Sequence, residues 1–118
     1  MRFKYIDKYI DISGWDVSNT ESMQGMFFMC KELESIGDIS NWDVSNVTNM
    51  SHMFNGYISF NQDISCWDVS NVIDMQFMFY CCKKFNQDLS KWNVSNVRHH
   101  TYMFDKCKIK EEYKPKFK

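Results

Sequence analysis

Apolar residues recur along the chain in two alternating patterns. The stretch from Ile64 to Val69 reads apolar, Ser, Cys, Trp, Asp, Val, and its last three residues alternate between apolar and polar. Such alternation, with Trp and Val as the apolar residues, is typical of a short β-strand. The following stretch has apolar residues at i, i+3, i+6 and i+7, one stripe of an amphipathic helix. In another copy, Ser45 or Asn46 is placed to cap such a helix. We therefore predict a short strand followed by a short helix.

Both patterns occur four times. Each copy is centred on the string Trp-Asp-Val-Ser-Asn, with Asn replacing Asp in the last copy. The copies begin at Trp15, Trp42, Trp67 and Trp92, so the spacings are 27, 25 and 25 residues. A nearly fixed period in this range indicates a repeat architecture.

This period and the apolar spacing of Ile64, Trp67 and Val69 match a leucine-rich-repeat coil. We predict an α/β repeat fold, a short right-handed leucine-rich-repeat-like solenoid with one short parallel strand and one short helix in each of four coils. A single domain spans residues 1–118. Its predicted parts are an N-terminal cap at 1–10, repeats at 11–37, 38–62, 63–87 and 88–107, and a C-terminal cap at 108–118.

The repeated large apolar residues are expected to form the core. Each unit of a repeat protein buries its apolar face against its neighbours, and most of the aromatic residues and the nine Met fall at fixed repeat positions. The predicted core residues are Trp15, Trp42, Trp67, Trp92, Met50, Met53, Phe54, Met75, Met78 and Phe79.

The string from Phe60 to Phe79 carries a family resemblance. It reads Phe-Asn-Gln-Asp-Ile-Ser-Cys-Trp-Asp-Val-Ser-Asn-Val-Ile-Asp-Met-Gln-Phe-Met-Phe and recurs with few substitutions. It resembles the BspA-like repeats, also called mycoplasma-lipoprotein-associated repeats, over roughly residues 10–107. The resemblance implies a solenoid of 25-residue coils. Members of the BspA-like family are mostly bacterial surface or secreted proteins, and some of them are adhesive. Large arrays of these repeats also occur in protists and giant viruses, usually without known activity.

The N-terminus bears on the compartment. Residues 1–10 lack the apolar region of a secretory signal, and no lipobox cysteine or anchor is visible. We therefore expect an intracellular protein, in the host cytoplasm or in the virion if it is viral. The alternative is a cell-surface or secreted protein whose leader has been removed.

Charge and composition argue against several partners and chemistries. The net charge of −1 argues against nucleic acid, and no apolar run is long enough to insert into a membrane. We expect no cofactor and no metal. The five Cys have no paired spacing, so we expect free thiols, with a Cys82–Cys107 bridge left open and Cys66 the exposed thiol.

The acidic column beside each Trp is interpreted as structural. Asp16, Asp43 and Asp68 align with Asn93, which keeps an acceptor oxygen without the charge. The column therefore predicts acceptors for backbone N–H groups at a turn or helix start, rather than cation ligands. No nucleophile, base and acid set is visible, so we do not expect an enzyme.

One position varies where its neighbours do not, the slot just before each Trp. The predicted binding residues, called the contact strip below, are Gly14, Asn41, Asp43, Cys66, Asp68, Lys91 and Asn93, flanked by Ser40, Ser65 and Ser90. We predict a non-enzymatic protein-interaction or scaffold module with an unknown protein partner. The alternative is a structural or adhesin-type repeat protein that forms homodimers or end-to-end assemblies through its edges. An enzyme is the third hypothesis.

Overall fold

The computed structural model describes residues 8–118, so most of the predicted N-terminal cap at 1–10 lies outside the described part. Among the described residues the one helix is a 3-10 helix at Glu111–Tyr113, inside the predicted C-terminal cap. Strand pairing in this part of the chain is limited to isolated parallel bridges between single residues. They join Tyr9 with Ser35, Ser22 with Asn49, Asn49 with Asp74, and Asp74 with His99.

The predicted α/β solenoid, with a leucine-rich-repeat-like strand and helix in every coil, is therefore wrong. The stripe that was predicted to be helical is a series of tight turns. In the second repeat the N–H of Met53 donates to the Met50 carbonyl at 3.2 Å, and equivalent bonds recur in the other repeats. Such a bond spans three residues, whereas an α-helix needs bonds that span four. A positive φ of 58° at His52 also interrupts any regular helix.

The predicted helix cap is also part of a turn. The N–H of Val47 donates to the Val44 carbonyl at 3.0 Å, which places Ser45 and Asn46 in the middle of that turn. The same bond forms in every repeat. Ser, Asn and Asp are the residues that turns favour, because their short polar side chains bond to the nearby backbone.

Backbone donors that a helix would use internally are used between repeats instead. In the second repeat every second N–H from Met50 onward donates to a carbonyl of the third repeat, at 2.9 to 3.0 Å. These pairs are Met50 with Asp74, His52 with Gln76, Phe54 with Met78, and Gly56 with Tyr80. The first repeat bonds to the second, and the third to the fourth, in the same register. The four repeats therefore stack side by side in parallel.

The core runs through this stack. The Met and Phe side chains of the predicted core are fully buried, and Trp42, Trp67 and Trp92 are at most 5% exposed. The ring of Phe54 stacks on Phe79 at 5.5 Å between centroids. Trp15 differs from this pattern, because it is 40% exposed and does not belong to the buried core.

Two side-chain ladders add to the backbone bonds. The indole N–H of each buried Trp donates to the carbonyl of an apolar residue in the preceding repeat, for example from Trp67 to Ile39 at 3.0 Å. On another side, Asn71 donates to the Ser45 carbonyl at 2.7 Å, and Asn46 and Asn96 make the equivalent bond. The Asn bonds satisfy carbonyls that the turns leave without a backbone donor, whereas each indole N–H is a second donor to a carbonyl that already accepts a turn N–H.

Candidate functional site

The contact strip lies at the tips of turns. In the second repeat the N–H of Trp42 donates to the Ile39 carbonyl at 3.1 Å, so Ser40 and Asn41 occupy the middle of that turn. The structure exposes all seven predicted binding residues. A Cβ atom added to Gly14 would meet nothing within 4 Å. The slot therefore tolerates side chains as different as those of Gly, Asn, Cys and Lys.

The acidic column of the strip is tied to its own turns. One oxygen of Asp68 accepts the Ser70 N–H at 3.0 Å and the Ser70 hydroxyl at 2.6 Å, and Asp43 is held in the same way by Ser45. Asn93 accepts the Ser95 N–H at 3.1 Å. The predicted acceptor role is therefore confirmed, although it serves a turn and not a helix start.

These hydrogen bonds also set the charge of the strip. The serine hydroxyl, and then the backbone N–H, lower the pKa of Asp43 and of Asp68 below its ordinary value. Each hydrogen bond favours the ionised carboxylate that accepts it. The strip is therefore negative at Asp43 and Asp68 at neutral pH and positive at Lys91.

A groove of about 610 Å³ opens beside the strip between the second and third repeats. It is lined by Ser35, Gly37, Asp38, Ser40, Gln62, Asp63, Ser65 and Cys66. Cys66 is exposed, as predicted, and its thiol donates to the Ser40 carbonyl at 3.3 Å. Asp38 and Asp63 accept from Ser40 and Ser65, and these bonds lower the pKa of both carboxyls.

The sequence prediction missed the residue that closes this groove. The side-chain amide of Gln62 donates to the Gly37 carbonyl at 2.7 Å and accepts the Ile39 N–H at 3.0 Å. Gln62 and Gly37 are one repeat apart, and Gln recurs in the next repeat at Gln87. That recurrence is the signal that predicts a bond between neighbouring repeats.

The described residues hold no arrangement that suggests metal or thiol chemistry. Among residues 8–118, no three His, Cys, Asp or Glu side chains are grouped as metal ligands. All five Cys are free thiols, so Cys82 and Cys107 are not bridged in this structure. The Cys82 thiol donates to the Phe54 carbonyl at 2.9 Å, and burial raises its pKa well above the usual value. Such a thiol is a poor nucleophile.

A second surface, which the sequence prediction also missed, carries partly exposed rings. The aromatic face consists of Phe28, His52, Phe77, Tyr80 and Tyr102. His52 stacks on Phe77 with 4.8 Å between ring centroids, and Tyr102 follows at 5.3 Å from Phe77. None of these five residues belongs to the predicted core or to the contact strip.

Stacked turns, repeat-to-repeat hydrogen bonds and a variable exposed slot define a protein built from tandem repeats. The chain belongs to the family described as Mycoplasma protein of unknown function, DUF285, whose family model matches residues 2–116. No curated protein and no solved structure matches the chain. No helix in the described part has the length and apolar composition needed to span a membrane.

Proposed function

We propose that this protein is a non-enzymatic binding module built from BspA-like repeats, which holds a protein partner on its contact strip. The observation that carries the proposal is the variable slot of Gly14, Asn41, Cys66 and Lys91. The slot is exposed in every repeat, while the neighbouring Trp is buried in three of the four. Variation at these positions changes the surface and leaves the stack unaffected.

The charge of the strip indicates the kind of partner. Asp43 and Asp68, with Asp38 and Asp63 in the adjacent groove, make the middle of this surface acidic, whereas Lys91 makes the fourth repeat basic. A partner segment with basic side chains over the second and third repeats and an acidic group over Lys91 complements this pattern. Complementary charges mainly increase the association rate and the specificity.

The turns that carry the strip support binding in a second way. Each slot is held by one backbone bond across its turn and by an acidic or amide side chain on either side of the Trp. A surface that is ordered before binding loses little conformational entropy when the partner arrives.

The direct test is partner capture by strip variants. We expect the combined Asn41→Arg and Lys91→Glu variant to lose the partners that the parent captures. Lys83→Glu is the matched control, since Lys83 is exposed in the third repeat and lies outside the strip. Equal capture by the parent and the folded strip variant contradicts the proposal.

Self-assembly is a second candidate, and one observation favours it. No acceptor among residues 8–118 meets the backbone N–H of His100, Tyr102, Phe104 or Lys106, the positions that donate to the next repeat elsewhere in the stack. An open edge of this kind can pair with another chain. However, Phe117 stacks on His100 at 3.9 Å, so pairing of whole repeats requires displacement of the C-terminal tail. A molar mass that stays monomeric at rising concentration in light scattering rejects this candidate.

The compartment and the absence of catalysis stay predictions. Five free thiols fit the reducing environment of an intracellular location. A protein retained on intact cells and removed by external protease contradicts that location.

A further inference from the structure

The aromatic face has one repeat position where a ring is missing. The tenth residue after each Trp is Gly25, His52, Phe77 or Tyr102 in the four successive repeats. All four have a positive φ, between 54° and 64°, so the backbone follows the same path in each repeat. Three of the four residues carry a ring, and the first carries no side chain.

The missing ring leaves a hollow of about 280 Å³. It is lined by Gln24, Gly25, Phe28 and His52. The lining therefore combines two rings, a glycine and a polar amide side chain. A Cβ atom added to Gly25 would have one neighbour within 4 Å, the Phe28 Cβ at 3.7 Å, which is ordinary contact.

The ring that borders the hollow is held in place. Phe77 stacks on His52 with an angle of 6° between the ring planes, and Phe28 meets it nearly perpendicularly at 5.7 Å. The Asn55 amide lies 3.0 Å from His52 Nδ1. His52 therefore offers a fixed surface that requires little ordering when a ligand binds.

We infer that this hollow binds an aromatic side chain of a protein partner, which takes the place of the absent fourth ring. The spacing of the column supports a ring, because aromatic rings pack with centroids 4.5 to 7 Å apart and the existing pairs lie at 4.8 and 5.3 Å. The polar side chain of Gln24 in the lining suits a Tyr or Trp, whose hydroxyl or indole N–H needs a partner when the ring is buried. This site is separate from the contact strip.

The test uses N-acetyl-L-tryptophanamide as the probe and the whole chain, with NMR shifts of Gln24, Gly25 and His52 as the readout. We expect saturable shifts at these residues with a Kd on the order of millimolar, as for a single small ring. N-acetyl-L-leucinamide should bind at least about tenfold more weakly, because it cannot stack on His52.

Two variants make the test specific. Gly25→His fills the hollow with the side chain that the second repeat carries at this position, and it should abolish the shifts in a folded protein. Lys83→His is the matched control, because Lys83 is exposed and lies outside both the hollow and the contact strip, and it should leave the shifts unchanged. His52→Ala, with Gly25 intact, should also lose binding.

Several outcomes overturn the inference. They are an absence of saturable shifts at Gln24, Gly25 and His52, equal affinity for the leucine probe, and binding that survives Gly25→His. Tighter binding of methyl glucoside at the same residues assigns the hollow to a sugar instead. Lys91→Glu should leave the probe's affinity unchanged, so failure here is distinguishable from failure of the contact strip.

Discussion

The first and third repeats carry the same Trp-centred string, yet their tryptophans differ in burial. Trp67 is 3% exposed, its ring lies 6.4 Å from that of Trp42, and its indole N–H bonds to the Ile39 carbonyl. Trp15 is 40% exposed. The Trp-centred string alone does not determine whether its Trp is buried. A buried indole such as that of Trp67 donates its N–H to the backbone of the preceding repeat, so its burial also depends on that repeat. Burial in a stack of repeats is therefore a property of neighbours.

The largest expected effect comes from removing the buried member of this pair. Trp67→Ala should lower the free energy of unfolding by about 3 to 5 kcal/mol, since truncation of a buried Trp leaves a cavity. It also leaves the Ile39 carbonyl without its indole donor. Trp15→Ala should cost less than half as much. Chemical denaturation of both variants, with parallel circular dichroism spectra, measures the difference.

Equal losses in the two variants would show that the exposed indole contributes as much as the buried one. That result would contradict the account of burial by the preceding repeat. Trp67→Phe is a useful companion, because it keeps an aromatic ring and removes the indole N–H together with part of the bicyclic ring. It should cost about 1 to 3 kcal/mol, from the smaller buried ring and the lost hydrogen bond to the Ile39 carbonyl.

The same comparison explains how much of the fold is predictable from sequence. The stacking of repeats is predictable, because residues one period apart occupy equivalent positions. Met50 and Met75, for example, are one 25-residue period apart. The string alone assigns Trp15 to the core, and that assignment is wrong, because burial of the other three Trp also depends on the repeat to whose carbonyl each indole N–H donates. The acceptor role of Asp68 was predictable from its replacement by Asn93 in the last repeat.

The predicted helix fails for a physical reason. A stripe at i, i+3 and i+6 is also produced by successive tight turns, which place every third residue on the same side. The signal against a helix was present at Gly25 and Gly56, since glycine is favoured where φ is positive. Both positions have positive φ in every repeat. In other copies they are occupied by residues such as His52 and Cys81, so the sequence does not show the positive φ there.

The contact strip could be proposed from sequence, but the groove and the aromatic hollow could not. Each depends on which side chains meet across the stack, and that depends on the path of the turns. Gln62 closes the groove by bonding one repeat back. The hollow depends on Phe28 of the first repeat and His52 of the second, whose rings meet nearly at right angles. The helix predicted for each repeat does not bring these two rings together.

The two glycines of the turn segment allow a second comparison between repeats. Gly56 has a φ of 82°, and an added Cβ would lie 2.9 Å from the Met29 sulfur and 3.1 Å from the Met29 Cα. Gly56→Ala should therefore cost about 2 to 4 kcal/mol, from positive-φ strain and from a clash with the first repeat. Gly25→Ala should cost only about 1 kcal/mol, because the added methyl has room.

Thermal and denaturant unfolding of these two alanine variants measures the contrast. Similar small losses would show that the second repeat is not held tightly against Met29. Met29→Ala provides a check, because Gly56→Ala should be less harmful in that background. The contact with the Met29 sulfur is then removed, while the backbone strain remains.

The smallest expected effect concerns acid, and it compares the second and third repeats with the fourth. Serine donors lower the pKa of Asp43 and Asp68 in the folded protein. A folded pKa below the unfolded value means that the ionised carboxylate adds stability above the ordinary Asp range near pH 3.8. That contribution is lost as the pH falls through the folded pKa. The fourth repeat has Asn93 at this position, which carries no charge and so contributes no such dependence.

The combined Asp43→Asn and Asp68→Asn variant should therefore behave like the fourth repeat at both positions. Its melting temperature should fall less than that of the parent between about pH 7 and about pH 3. At neutral pH it should be slightly less stable than the parent, because Asn keeps the acceptor for the Ser45 and Ser70 N–H groups, as Asn93 does for Ser95, but loses the contribution of the ionised carboxylate. Ser70→Ala provides the contrast, because it reduces the acid dependence while it leaves the charge of Asp68 in place. An unchanged acid dependence in the Asn variant would mean that other carboxylates control acid unfolding.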